Sequence, residues 1–93
     1  MIILDGRQMK DPGQTHAYLK KQMNLPFYYG CNLDALYDIL TAVGEREEIY
    51  LFHGNRVLIN MPEYGRNLIQ VFKDAQEENA NLRFWTNVGK EVL

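Results

Sequence analysis

Apolar residues recur along this chain at two spacings, and each predicts a different element. "IIL" at residues 2–4 is a short apolar run closed by Asp5-Gly6, a turn pair, and reads as a strand. Asp11-Pro12-Gly13-Gln14 predicts a helix start. Asp11 can cap it, Pro12 suits the first helical position, and Gln14 completes a capping-box spacing. Leu19 and Met23, four apart, mark its apolar side, and Pro26 after Leu25 is expected to break it. Tyr28 and Tyr29 then fall in a connecting loop that Gly30 can turn. Asn32 predicts the cap of a second helix, ended by Gly44. At about 100° per residue, Leu33, Leu36, Ile39, Leu40 and Val43 gather on one side of it. Asp34, Tyr37, Asp38 and Thr41 gather on the other.

"EIYLF" at 48–52 predicts a second strand. Residues 53–63 leave two readings open, since "RVLIN" fits a strand or an irregular cover. Helical spacing returns with Leu68, Val71, Phe72 and Ala75, with Asn79 as its stop. "LRFWT" at 82–86 predicts a last strand, followed by a frayed tail. Strand–helix–helix–strand–helix–strand implies one α/β domain over residues 1–93, a small parallel sheet with helices packed on it.

Composition adds little to this: 46% hydrophobic and 24% charged residues are those of an ordinary globular chain. No apolar run approaches the roughly 18–20 residues of a membrane span. "MIILDGRQMK" does not read as a signal peptide, so no membrane association is expected. Cys31 is the only cysteine, which points to a reducing, cytoplasmic setting. Charge changes the picture more. Residues 26–50 carry Asp34, Asp38, Glu45, Glu47 and Glu48 against Arg46 alone, while the remainder is slightly basic. That stretch suits a basic protein partner and disfavours direct nucleic-acid binding. A merely solvated helix face is the alternative.

Asp34 and Asp38 are too few for a metal site, no phosphate-binding glycine loop is present, and no cofactor is expected. A Cys31-dependent hydrolase would need His16 or His53 as base. The surrounding sequence carries no cysteine-hydrolase motif, and His16 reads as a packing residue on the first helix. Asp34 falls in the first helical turn, where the helix dipole favours a carboxylate by about 0.3–1 kcal/mol. Asp38 gains little of this, and its like charge four residues from Asp34 costs roughly 0.2–0.5 kcal/mol. Asp38 is the more diagnostic of function.

"LPFYYGCNLDALYDILT" closely resembles the central motif of the barstar family, protein inhibitors of barnase-type ribonucleases. "LDG" near the start, "LKK" in the first helix and "LIQVFKDA" in the last extend the likeness from residue 2 to about 86. The resemblance implies a three-stranded parallel sheet flanked by helices, and an inhibitor rather than an enzyme. Its binding surface would be the second helix and the loop before it. By position, Tyr28, Asn32, Asp34, Tyr37, Asp38 and Thr41 would line that surface, joined by Asp74 from the last helix. The implied partner is a basic ribonuclease or related nuclease toxin, with this chain as a cytoplasmic immunity protein, monomeric when free. Several positions depart from the family pattern. Tyr37 stands for tryptophan, Asp74 for glutamate, Cys31 for an acid, and Ala42-Val43 for Gly-Trp, and the segment before the last helix looks shorter. An acidic interaction module of the same fold without ribonuclease inhibition is the alternative reading.

Overall fold

The computed structural model describes residues 1–88. Strands β1 (Ile2–Asp5), β2 (Glu47–Phe52) and β3 (Leu82–Thr86) form one parallel sheet in the order β1-β2-β3. The connections carry α1 (Pro12–Gln22), α2 (Leu33–Thr41), α3 (Gly54–Asn60) and α4 (Pro62–Glu78), and a 3-10 turn at Gly6–Gln8 follows β1. Among the described residues no helix is long and apolar enough to cross a membrane.

Strand side chains alternate strictly. Leu4, Ile49, Leu51 and Leu82 are buried under the helices with Leu19, Leu36, Leu40, Leu68 and Phe72. Phe84 follows them inward, stacked on Phe72 with ring centroids 4.7 Å apart. Ile3, Phe52 and Trp85 point to the opposite face and stay exposed. The free edges of the sheet are occupied by side chains rather than strands. Gln22 Nε2 donates to Ile3 O (3.2 Å), the Asp5 amide donates to the Tyr18 hydroxyl (2.9 Å), and the Phe84 amide donates to Gln76 Oε1 (2.8 Å). Occupying edge groups in this way disfavours extension by another strand.

The helix starts are local. Asp11 Oδ1 accepts from the Gln14 amide (2.8 Å) with Pro12 in the first turn, and Asn32 Oδ1 accepts from the Ala35 amide (2.8 Å). Two places differ from the sequence reading. The first helix stops before Pro26 is reached. Asn24 takes a left-handed conformation (φ 52°), the Leu25 amide returns to Lys20 O (2.9 Å) and the Asn24 amide to Lys21 O (3.3 Å), a Schellman ending. Residues 54–60 are neither strand nor irregular cover but α3. Val57 and Met61 anchor it in the core, and Gly65 lets α4 approach, because a Cβ there would lie 2.7 Å from Val57 O.

Asn79 closes the fold. Nine-tenths buried, it donates through Nδ2 to Leu40 O and Val43 O (both 3.0 Å) and accepts from the Asn81 amide (3.0 Å). One amide side chain thus ends α4, starts β3 and donates to two carbonyls at the end of α2, where regular i→i+4 donors run out. Replacing Asn79 by alanine is expected to lower stability by about 2–4 kcal/mol, because three hydrogen bonds of one buried side chain are lost together. Asn81, whose side chain bonds only Val43 O from an exposed position, should cost less than about 1 kcal/mol when truncated. Urea melts of Asn79→Ala and Asn81→Ala compare the two; equal losses would contradict this account.

Candidate functional site

The second helix separates its two faces cleanly. Leu36 and Leu40 are fully buried against the core, while Asp34 and Asp38 are exposed one turn apart on the other side. Tyr37 lies half-buried between the two faces. The Thr41 hydroxyl donates back to Tyr37 O (2.9 Å) and Asp38 O (3.2 Å), which satisfies it within the helix. The ion pairs among the described residues are Asp5 with Arg7 and the Met1 ammonium with Glu47. Neither carboxylate of α2 therefore has a cationic neighbour among these residues. They are fixed anions aimed at solvent.

The loop ahead of α2 is tightly held. Lys20 Nζ donates to Phe27 O (3.2 Å), the Tyr29 amide to Pro26 O (3.0 Å), and Asn32 Nδ2 to Gly30 O (3.2 Å). Cys31 sits at φ 53° with its thiol against Tyr29 O (3.6 Å). The two adjacent tyrosines separate: Tyr28 is 75% exposed, Tyr29 only 6%. Tyr29 is a core residue, its hydroxyl 2.7 Å from His16 Nδ1, and His16 Nε2 lies 2.6 Å from the Tyr64 hydroxyl. Both ring nitrogens of His16 are occupied by phenols, so it has no nitrogen left to serve Cys31 as a base. His53 lies at the end of β2, at the start of α3. The hydrolase arrangement is not assembled.

Tyr28, Asn32, Asp34, Tyr37, Asp38 and Thr41 thus share the α2 helix and its leading loop. Asp74 stands apart from them. It is exposed on α4, accepts from Gln70 Nε2 (2.8 Å), and lines a groove with Lys73, Glu77, Phe84, Trp85 and Thr86. No described hydrogen bond or ion pair joins it to α2. Sequence reasoning passed over Phe27, which is 87% exposed and meets Tyr28 edge to face at 5.5 Å. The available signal was an aromatic residue immediately after a proline in a loop, where a polar one is the norm.

Burial sets the electrostatics of the Tyr29–His16–Tyr64 chain. It pushes the His16 imidazolium below its ordinary range and both phenols above theirs. At Asp5, hydrogen bonds from the Arg7 guanidinium hold the carboxyl below the usual carboxylate range, against a smaller opposing effect of burial. Among the described residues no three His, Cys, Asp or Glu side chains converge as a metal site.

The chain matches the family model described as "Barstar (barnase inhibitor)" over residues 1–89. It is also similar to a Bacillus subtilis (strain 168) protein named "Putative ribonuclease inhibitor YrdF". The two are 37% identical over 79 residues, covering 83% of this chain and 86% of the relative.

The buried relay makes stability depend on pH. Neutral His16 offers one donor and one acceptor to the two phenols, whereas the cation is donor only and is poorly solvated where it sits. Because its folded-state pKa is depressed, the folded protein binds fewer protons than the unfolded chain between that value and about 6.5. Stability is therefore full above about pH 6.5 and falls as pH drops toward the folded pKa. Asp5 adds its own loss only lower, as pH falls below the ordinary carboxylate pKa of 3.8. Urea midpoints between pH 8 and 5 should decline for the native chain and stay flatter for His16→Gln. An equal decline in both would assign the pH dependence elsewhere.

Proposed function

The chain belongs to the barstar family of ribonuclease inhibitors, and from that membership we propose that it seals the active site of a basic, barnase-type microbial ribonuclease with α2 and its leading loop. It acts by occupying a site, not by turning over a substrate.

The observation that carries this reading is the pair Asp34 and Asp38, exposed on one helix face and without an ion-pair partner among the described residues. A ribonuclease active site presents Arg, Lys and His to bind phosphate. Carboxylates on a helix can take the places of phosphate oxygens there, through charge-assisted and bidentate contacts. The helix dipole favours Asp34 in the first turn but does little for Asp38 one turn further on. Asp38 is therefore the residue whose presence is explained by a partner. Tyr28, with Phe27 against it, would cover a catalytic group and exclude substrate from one side. Asn32, Tyr37 and Thr41 would frame the acids, and Asp74 would contact the partner at the periphery. Neutralising such an enzyme before its export places the protein in the cytoplasm, as an immunity protein.

The stripe separates binding from folding. Asp38→Ala removes a like-charge neighbour and inserts a better helix former, each worth a few tenths of a kcal/mol. The free protein should be as stable or slightly more so. Binding should weaken by about 2–5 kcal/mol, because desolvated cations in the partner lose their anion; this is a general range to which the barnase–barstar complex itself contributes. Asp34→Ala should lose some fold stability as well as affinity. Urea melts and titrations against barnase-type ribonucleases measure both. Normal binding by Asp38→Ala, or a loss of more than about 1 kcal/mol in the free protein, would make Asp38 a structural residue.

Association should also be steered by charge. An acidic face meeting a basic site raises the association rate above the roughly 10⁵–10⁶ M⁻¹s⁻¹ of neutral surfaces. Salt screens over about 10 Å at 0.1 M, so it should slow association far more than it speeds dissociation. Stopped-flow rates independent of ionic strength would contradict electrostatic steering.

A further inference from the structure

Parallel sheets are normally covered on both faces, because their connections bring helices over them. Here, among the described residues, the helices cover one face only. The other carries Ile3 on β1, Tyr50 and Phe52 on β2, and Trp85 on β3. Register places Tyr50 between Ile3 and Trp85. The rings form one cluster, with centroids 6.3 Å apart for Tyr50 and Trp85, 5.5 Å for Phe52 and Trp85, and 6.5 Å for Tyr50 and Phe52. Ile3, Phe52 and Trp85 keep 44%, 42% and 41% of their surface exposed. Water gains nothing from this cluster, and strand alternation alone would have accepted polar residues at all four positions.

We propose that this open sheet face is a self-association surface on which a second copy of the chain packs, face to face. Three observations select that occupant. First, the charges around the cluster are balanced. Glu48 lies opposite Arg83 in register, and Asp5 is ion-paired with the Arg7 guanidinium. A patch bearing both signs is complementary to itself, as a two-fold interface requires, whereas the unpaired acids of α2 suit a basic partner. Second, Gln22, Tyr18 and Gln76 occupy backbone groups on both edges of the sheet, which disfavours pairing by strand addition relative to packing through the face. Third, the area fits a reversible dimer. With aromatic side chains burying about 150–250 Å² each, the cluster offers roughly 250–350 Å² of apolar surface. That is the core of a small interface, short of the roughly 800 Å² per partner of a tight one. The contact is therefore a weak, reversible dimer that forms only at high protein concentration. This differs from the monomer expected from the sequence. The α2 surface lies on the helical side of the sheet and stays free in each copy.

Trp85 is the only tryptophan of the chain, so its emission reads this face directly. Sedimentation equilibrium of the full chain from about 5 µM to 1 mM should show the average mass rising from 10.9 kDa toward twice that value. Trp85 emission should shift to the blue over the same range. Phe52→Lys and Ile3→Lys, on two different strands at exposed positions, should each weaken association at least tenfold with an unchanged circular dichroism spectrum. Asp38→Ala should leave association unchanged. A mass fixed at that of the monomer up to 1 mM overturns the proposal, as does a dimer that survives both lysine variants. Loss of association in Asp38→Ala would place the contact on α2 and overturn it too. A monomer whose Trp85 emission shifts to the red when residues 89–93 are removed would assign the face to the chain's own end and equally overturn the dimer.

Discussion

Strand order constrains everything else in this molecule. Three parallel strands in the order β1-β2-β3 advance in one direction across the sheet. Crossover connections between parallel strands are right-handed almost without exception, so an advance that never reverses brings each crossover over the same face. The helical layer is one-sided for that reason. A sheet with no reversal also lacks the crevice at a switch in strand order where α/β enzymes hold small ligands.

Within the helical layer, the parts that stabilise the fold and the parts available for binding are different atoms of the same elements. Leu36 and Leu40 fix α2 to the core, and Asn79 ties its last carbonyls to the junction of α4 and β3. Tyr29 anchors the leading loop from below through His16 and Tyr64. Tyr28, Asp34 and Asp38 take little part in this and are left pointing outward. The backbone that carries them is fixed by the core, which lowers the ordering cost at encounter, where preorganised surfaces gain affinity. The two sides of the molecule also differ in chemistry: an acidic stripe without ion pairs among the described residues on the helical side, and an aromatic, charge-balanced cluster on the sheet.

Much of this was legible in the sequence because it is local. The caps at Asp11 and Asn32 act within three residues, and the helical period alone divides Leu36 and Leu40 from Asp34 and Asp38. The three strands were read from short apolar runs with turn residues beside them. The long motif around Asn32 carried the family resemblance, and the family match and the relative support it.

What the tertiary structure decided lies between residues far apart in the chain. Residues 54–60 are β-branched enough to suggest a strand, and they became helix because Val57 and Met61 dock beside α4. Tyr28 and Tyr29 are indistinguishable by type, and only the position of His16 selects which one is buried. Asn79 could be recognised as a helix stop, but its bonds to Leu40 and Val43 depend on how α4 crosses α2. Alternation along each strand was visible, but which face the helices would leave open was not, since that follows from the order of the strands. Periodicity records what a residue's neighbours in sequence require of it; burial and partners are set by elements whose relative positions no local pattern contains.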